Sequence, residues 1–103
     1  MTAELADRDL SEVTSRLRGS LDGIHGKLRA TDAILLAGFE KRTRLRAVLV
    51  ARAMRDLGWE HGRCRFNGTL ESAYWRGSAL ECEVILSVTR GDDDLLVVKR
   101  REP

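Results

Sequence analysis

The chain has 103 residues, of which 43% are hydrophobic and 33% charged, with a net charge of +2 and two cysteines, the size and balance of one domain with a single small core. No apolar run approaches the roughly 20 residues of a membrane span, and the polar, partly acidic start MTAELADRDL is not a secretory signal. Cys64 and Cys82 are too few and too far apart for a disulfide scaffold, so a reduced, cytoplasmic chain is expected.

Residues 1–8 are expected to form a flexible N-terminus ahead of one domain over 9–103. Asp9 with Glu12 resembles a capping box, and Leu10, Val13, Leu17, Leu21, Ile24 and Leu28 follow at helical spacing. Gly19, Gly23 and Gly26 each cost such a helix about 1 kcal/mol against alanine. They either admit a close backbone neighbour or mark where the helix bends or stops. Thr31 is a suitable N-cap for a second helix over Asp32–Ala37, with Gly38 as its stop. A third helix is expected over Lys41–Leu57, ending at Gly58. Projected at about 100° per residue, Leu49, Val50, Ala53, Met54 and Leu57 form an apolar stripe. Lys41, Arg44, Arg52 and Arg55 lie opposite it, with Leu45 and Val48 among them.

Beyond Gly58 the hydrophobic period changes to two. Asn67-Gly68 is a strong signal for a type I′ hairpin, which pairs Phe66 with Thr69. One side then receives Cys64, Phe66, Thr69, Glu71, Ala73 and Trp75, and the other Arg63, Arg65, Leu70, Ser72, Tyr74 and Arg76. The apolar first set is expected to face the helices, turning Arg63, Arg65, Tyr74 and Arg76 outward together. The tail ALECEVILSVTRGDDDLLVVKRREP reads two ways. Ser78 with Glu81 could cap a helix carrying Leu80, Val84 and Val88. Val84-Ile85, Val88-Thr89 and Leu95 to Val98 are strand formers around the turn Arg90–Asp94, and a second hairpin is favoured.

Charge is segregated along the chain. Between Lys41 and Arg76 nine basic residues stand against three acidic ones, while the remainder carries nine basic and 13 acidic, the pattern of a patch that meets polyanion. The fold class expected is α+β: a winged helix-turn-helix of three N-terminal helices, a basic wing hairpin and a second β-hairpin. Helix 41–57, entered through GFEKRTRLR, would lie in the major groove of duplex DNA. The nucleic-acid-binding residues expected are Lys41, Arg44, Arg52 and Arg55 on that helix, with Arg63, Arg65, Tyr74 and Arg76 on wing 63–76.

The runs TDAILLAGF, RAVLVARAMRDLGWE and RCRFNG…YWRG resemble the small C-terminal domain of phage and plasmid replication proteins of the virulence-associated protein E type, which are helicase-primases. The resemblance covers residues 31–77. It implies a winged-helix module working on DNA in a phage or mobile-element setting, as a replication accessory or regulator. No GxxxxGK[ST] loop is present, so no motor activity carries over.

Other readings of the same residues are blander. His61, Cys64, Cys82 and His25 lack the second close ligand pair of a zinc site, and no third group orients a Cys-His nucleophile. Neither an enzyme, a cofactor nor a small-molecule substrate is expected. Trp59 and Trp75 are expected to pack the wing onto the helices. The alternative function is a protein-interaction adaptor, or a phage-encoded inhibitor of a host nucleoprotein complex, on the same fold. A protein partner or a homodimer fits either reading.

Overall fold

Helix α1 (Ala3–Leu21) leads into a short strand β1 (Gly26–Arg29), and helices α2 (Ala30–Leu36) and α3 (Arg44–Asp56) follow. Strands β2 (Glu60–Phe66) and β3 (Thr69–Arg76) come next, then a 3₁₀ turn (Glu81–Glu83) and strands β4 (Ile85–Arg90) and β5 (Leu96–Arg101). The computed structural model describes residues 3–93 and 95–101, and its side chains from 10 to 93 and 95 to 100. The five strands form one mixed sheet in the order β2-β3-β1-β4-β5. The described residues therefore form an α+β fold with three α-helices on a five-stranded mixed sheet.

The expected first helix running to Leu28 stops at Leu21, and a strand precedes Thr31, which an all-helical N-terminal half does not allow. Gly23 adopts φ 69° and Gly26 φ 148°, conformations a helix cannot hold. At Gly26 a Cβ would come within 2.7 Å of the Val84 carbonyl oxygen, and Lys27 N–H donates to that same oxygen at 2.8 Å. Only glycine lets the two backbones meet so closely. Leu28 fits both patterns, since it is fully buried with Tyr74 of β3 on one side and Leu86 of β4 on the other. The last two helices also begin differently from expectation. Arg29, not Thr31, caps α2 and gives no side-chain hydrogen bond, and Thr43 caps α3 by accepting from Arg46 N–H at 3.2 Å.

Both helix stops fall at the expected glycines. Gly38 and Gly58 have φ of 98° and 89°. Phe39 N–H reaches back to Ile34 O and Trp59 N–H to Met54 O, with Gly38 and Gly58 donating to Leu35 O and Arg55 O, the Schellman pattern at each end. From α3, Leu49, Val50, Ala53 and Met54 enter the core. Val50, Ala53 and Met54 join Val13, Leu17 and Leu21 of α1, Ala33, Ile34 and Leu36 of α2, and Leu28, Tyr74 and Leu86 of the sheet. Each such aliphatic side chain contributes about 1.5–3 kcal/mol by leaving water.

The β2–β3 hairpin has the expected register, Phe66 opposite Thr69 through Cys64 opposite Glu71, with φ of 52° at Asn67 and 85° at Gly68. Its sidedness is reversed. Tyr74 faces the helices beside Leu28 and is 3% exposed, whereas Phe66 and Trp75 lie on the opposite, helix-free side. Phe66 is hidden there by the side chains of Lys27 and Arg29, whose cationic ends lie 5.4 Å and 4.5 Å from its ring centroid. Lys27 Nζ also donates to Arg65 O at 2.8 Å, and Arg29 pairs with Glu71 at 3.2 Å. Trp75 lies against Gly62, where a Cβ would meet the ring at 2.6 Å.

The tail uses both of its signals. Ser78 and Glu81 form a reciprocal capping box, with Ser78 N–H to Glu81 Oε1 at 2.8 Å and Glu81 N–H to Ser78 Oγ at 3.3 Å, but only a 3₁₀ turn follows before the β4–β5 hairpin. Glu81 Oε2 also meets His25 Nδ1 at 2.7 Å. The Ser78 N–H, then the His25 hydrogen bond, hold the Glu81 carboxyl down at about 2 from its ordinary 4.5. A depressed carboxylate stabilises the fold above its unfolded value and loses that contribution as pH falls through the folded one. Acid should therefore lower the melting temperature of the wild type between pH 4.5 and about 2 more than that of Glu81→Gln, measured by circular dichroism. Parallel pH profiles would refute the linkage.

Candidate nucleic-acid interface

Helix α3 presents one buried and one exposed side. Arg44, Arg52 and Arg55 are exposed, and between them Leu45 and Val48 stand 63% and 58% exposed. Its first turn contains no acidic residue. With Arg44 and Arg46 there instead, the partial positive charge of the helix start is reinforced where an acid would normally offset it. Lys41 is exposed but lies before the helix, in the turn that Thr43 terminates, which corrects its expected place on helix 41–57. Its carbonyl accepts from Arg46 Nη1 at 2.9 Å, and the Arg46 guanidinium covers the Phe39 ring at 4.9 Å.

On the hairpin, Arg63 and Arg65 remain exposed although they share the helix-facing side with Tyr74. The register of β1 against β3 ends at Arg29 and Ala73, so the hairpin tip projects past the strand that would otherwise anchor it. Arg65 Nη1 donates to Gly68 O at 3.3 Å. Tyr74 and Arg76 do not join this surface. The Tyr74 ring stacks on His61 with centroids 4.6 Å apart, and burial pushes its hydroxyl pKa up against the lowering effect of Arg42. Arg76 donates to Leu21 O at 2.6 Å, to Ile24 O at 2.8 Å and to Leu57 O at 2.9 Å, and its guanidinium lies 4.6 Å from the Trp59 ring. The carbonyls at the ends of α1 and α3 hold that charge, so it is not offered to a ligand.

Two grooves connect α3 with β2. One is lined by Val48, Arg52, Arg55, Asp56, Glu60 and His61, so two carboxylates stand among its cations. The other is lined by Thr31, Arg42, Ala47, His61, Glu71 and Tyr74. His61 lines both, and Arg63 and Arg65 follow it on the same side of β2. Arg42 belongs to this surface and was missed. Placing the helix start at Lys41 projects Arg42 onto the buried side, whereas Thr43, a good capping residue, marks the true start and leaves Arg42 in the turn. The ion pairs Arg16–Glu12, His25–Glu81 and Arg29–Glu71 engage neither the cations of α3 nor Arg63.

The zinc reading is disfavoured by geometry as well as by spacing. His61 pairs with Tyr74 and Cys64 with Glu71, which sets the two side chains on opposite sides of β2. His61 Nε2 meets Ser72 Oγ at 3.2 Å, and burial raises both free thiols, Cys64 and Cys82, above their ordinary pKa. Trp59 is 3% exposed in the core, while Trp75 donates from Nε1 to Glu60 at 3.1 Å on the open side. Comparison of the chain with known protein families, with curated proteins and with solved structures gives no match.

Proposed function

We propose that this is a small winged-helix protein that binds duplex DNA, with α2 and α3 as the helix-turn-helix and the β2–β3 hairpin as the wing. The order helix, strand, two helices, two strands, with β1 beside β3, supports that reading. The observation that carries it is an exposed arginine surface without ion pairs among the described residues: Arg44, Arg52 and Arg55 on the outer side of α3, with Arg63 and Arg65 on the hairpin. At 1.5 Å per residue a helix of this length spans roughly 20 Å and fits a major groove about 12 Å wide. The arginines would neutralise phosphates and read guanine edges, and Leu45 and Val48 could meet thymine methyls. Lys41 and Arg42 would add charge from the preceding turn. A replication accessory or regulator of a phage or mobile element is the setting the sequence resemblance implies.

The same Leu45 and Val48, exposed side by side on α3, favour the second reading, a protein-interaction adaptor. Salt dependence separates the two. In electrophoretic shifts with unrelated duplexes, replacing both Arg63 and Arg65 with Ala should weaken binding to all sequences alike. The salt slope should fall by about 2, each phosphate contact contributing roughly 0.9. Arg44→Ala should instead change sequence preference, by about 1–3 kcal/mol at the base it reads. Wild-type protein with no salt-dependent affinity for any duplex at low ionic strength would transfer the case to the adaptor.

A further inference from the structure

The sheet ends at β5, and no strand among the described residues pairs with its outer edge. The hydrogen bond from Gly91 N–H to Leu95 O at 2.8 Å fixes the alternation of the β4–β5 ladder. By that alternation Leu96, Val98 and Arg100 turn their backbone N–H and C=O groups to the free edge. Such an edge is a template for another strand. It is also apolar at its middle, with Leu95 64% and Val97 41% exposed, and charged at its two ends with opposite signs. Exposed Asp92 and Asp93 precede it, and exposed Lys99 and Arg100 close it.

We infer that β5 pairs antiparallel with β5 of a second copy, joining two sheets edge to edge about a two-fold axis at Val97. In this register Val97 faces its own equivalent in a non-hydrogen-bonded pair, where side chains approach most closely. Leu96 exchanges hydrogen bonds with Val98, and Leu95 lies opposite Lys99. Within Leu95–Lys99 no like charges oppose one another, and the acidic turn of each copy lies towards the Lys99–Arg100 end of the other. The opposite edge of the sheet lacks this complementarity. Pairing β2 with itself about Arg63 or Cys64 sets arginine against arginine, and pairing β2 with β5 would generate an open filament instead of a closed dimer. The axis is perpendicular to the sheet, so both helical layers stay on the same face. The inference is independent of DNA binding.

Sedimentation equilibrium of the wild-type protein without DNA should show a reversible monomer–dimer equilibrium. Two charge variants decide the surface: Lys99→Glu with Arg100→Glu reverses the basic end of the edge, and Asp92→Lys with Asp93→Lys reverses two charges of its acidic turn. Each variant alone should dimerise at least about tenfold more weakly than the wild type, because like-charged ends now meet. An equimolar mixture of the two should recover a heterodimer. All four positions are exposed, and unchanged circular dichroism will establish that the variants fold. A wild type that stays monomeric at every concentration overturns the inference, as do variants that dimerise like the wild type, or folded variants that fail to pair when mixed.

Discussion

Tyr74→Ala should destabilise the protein by about 3–5 kcal/mol, and Trp75→Ala by about 1–2. The usual order, with the larger tryptophan costing more, is reversed because of where each ring sits. Tyr74 is 3% exposed within the core that unites all three helices with the sheet, beside Leu28 and stacked on His61. Its removal leaves a cavity bounded by the helices and three strands, and the packed backbones around it cannot collapse to fill it. Trp75 lies half-exposed on the helix-free side, resting on Gly62 and bonded to Glu60, where water can replace much of what is lost. Against a total stability of about 5–15 kcal/mol, Tyr74→Ala should bring the urea midpoint down sharply with little change in slope. Tyr74→Phe should recover most of the loss. A larger effect at Trp75 than at Tyr74 would mean that the two sides of the hairpin are exchanged.

That reversal also shows what the residues reveal and what they conceal. Asn67-Gly68 specifies the pairing of β2 with β3 and which side chains share a side, because a type I′ turn has one backbone solution. It does not specify which side meets the helices. Composition points the wrong way: Phe66, Ala73 and Trp75 are more apolar than Arg63, Ser72, Tyr74 and Arg76. Phe66 is instead hidden by the stems of Lys27 and Arg29, a means of burial that long cationic side chains provide without entering the core. The strand β1 is equally hard to read. Gly-Lys-Leu-Arg is too short to display alternation, and Leu28 keeps helical spacing with Leu21 and Ile24, so only its pairing on both edges makes it a strand. The glycine stops and the apolar stripe of α3 were legible because they depend on local backbone chemistry alone. Arg44, Arg52, Arg55 and Arg63 are exposed as expected because no ion pair among the described residues draws them in, and Arg65 stays exposed although it donates to Gly68 O.

Arg76 is the exception, and its replacement is the second large effect expected. Arg76→Met keeps the length and apolar stem of the side chain but removes every donor. The carbonyls of Leu21, Ile24 and Leu57 then lose their hydrogen bonds, and the partial negative charges at the ends of α1 and α3 lose the cation between them. Hydrogen bonds to a charged donor contribute about 1.5–3 kcal/mol apiece. The site is only partly buried and water can reach some of these oxygens, so a total near 2–4 kcal/mol is expected. Arg76→Lys should restore less than half, since an ammonium cannot span three carbonyls on two helix ends as a planar fork does. Hydrogen exchange gives the local signature: amides of β1 and of Gly58-Trp59 should exchange faster, because Arg76 ties the turn before β1 and the end of α3 to β3. The same variant tests the division between clamp and interface. If Arg76 holds helix ends, the salt slope of DNA binding stays at its wild-type value once the folded fraction is accounted for. A slope reduced by about 1 with stability unchanged would return Arg76 to the DNA surface.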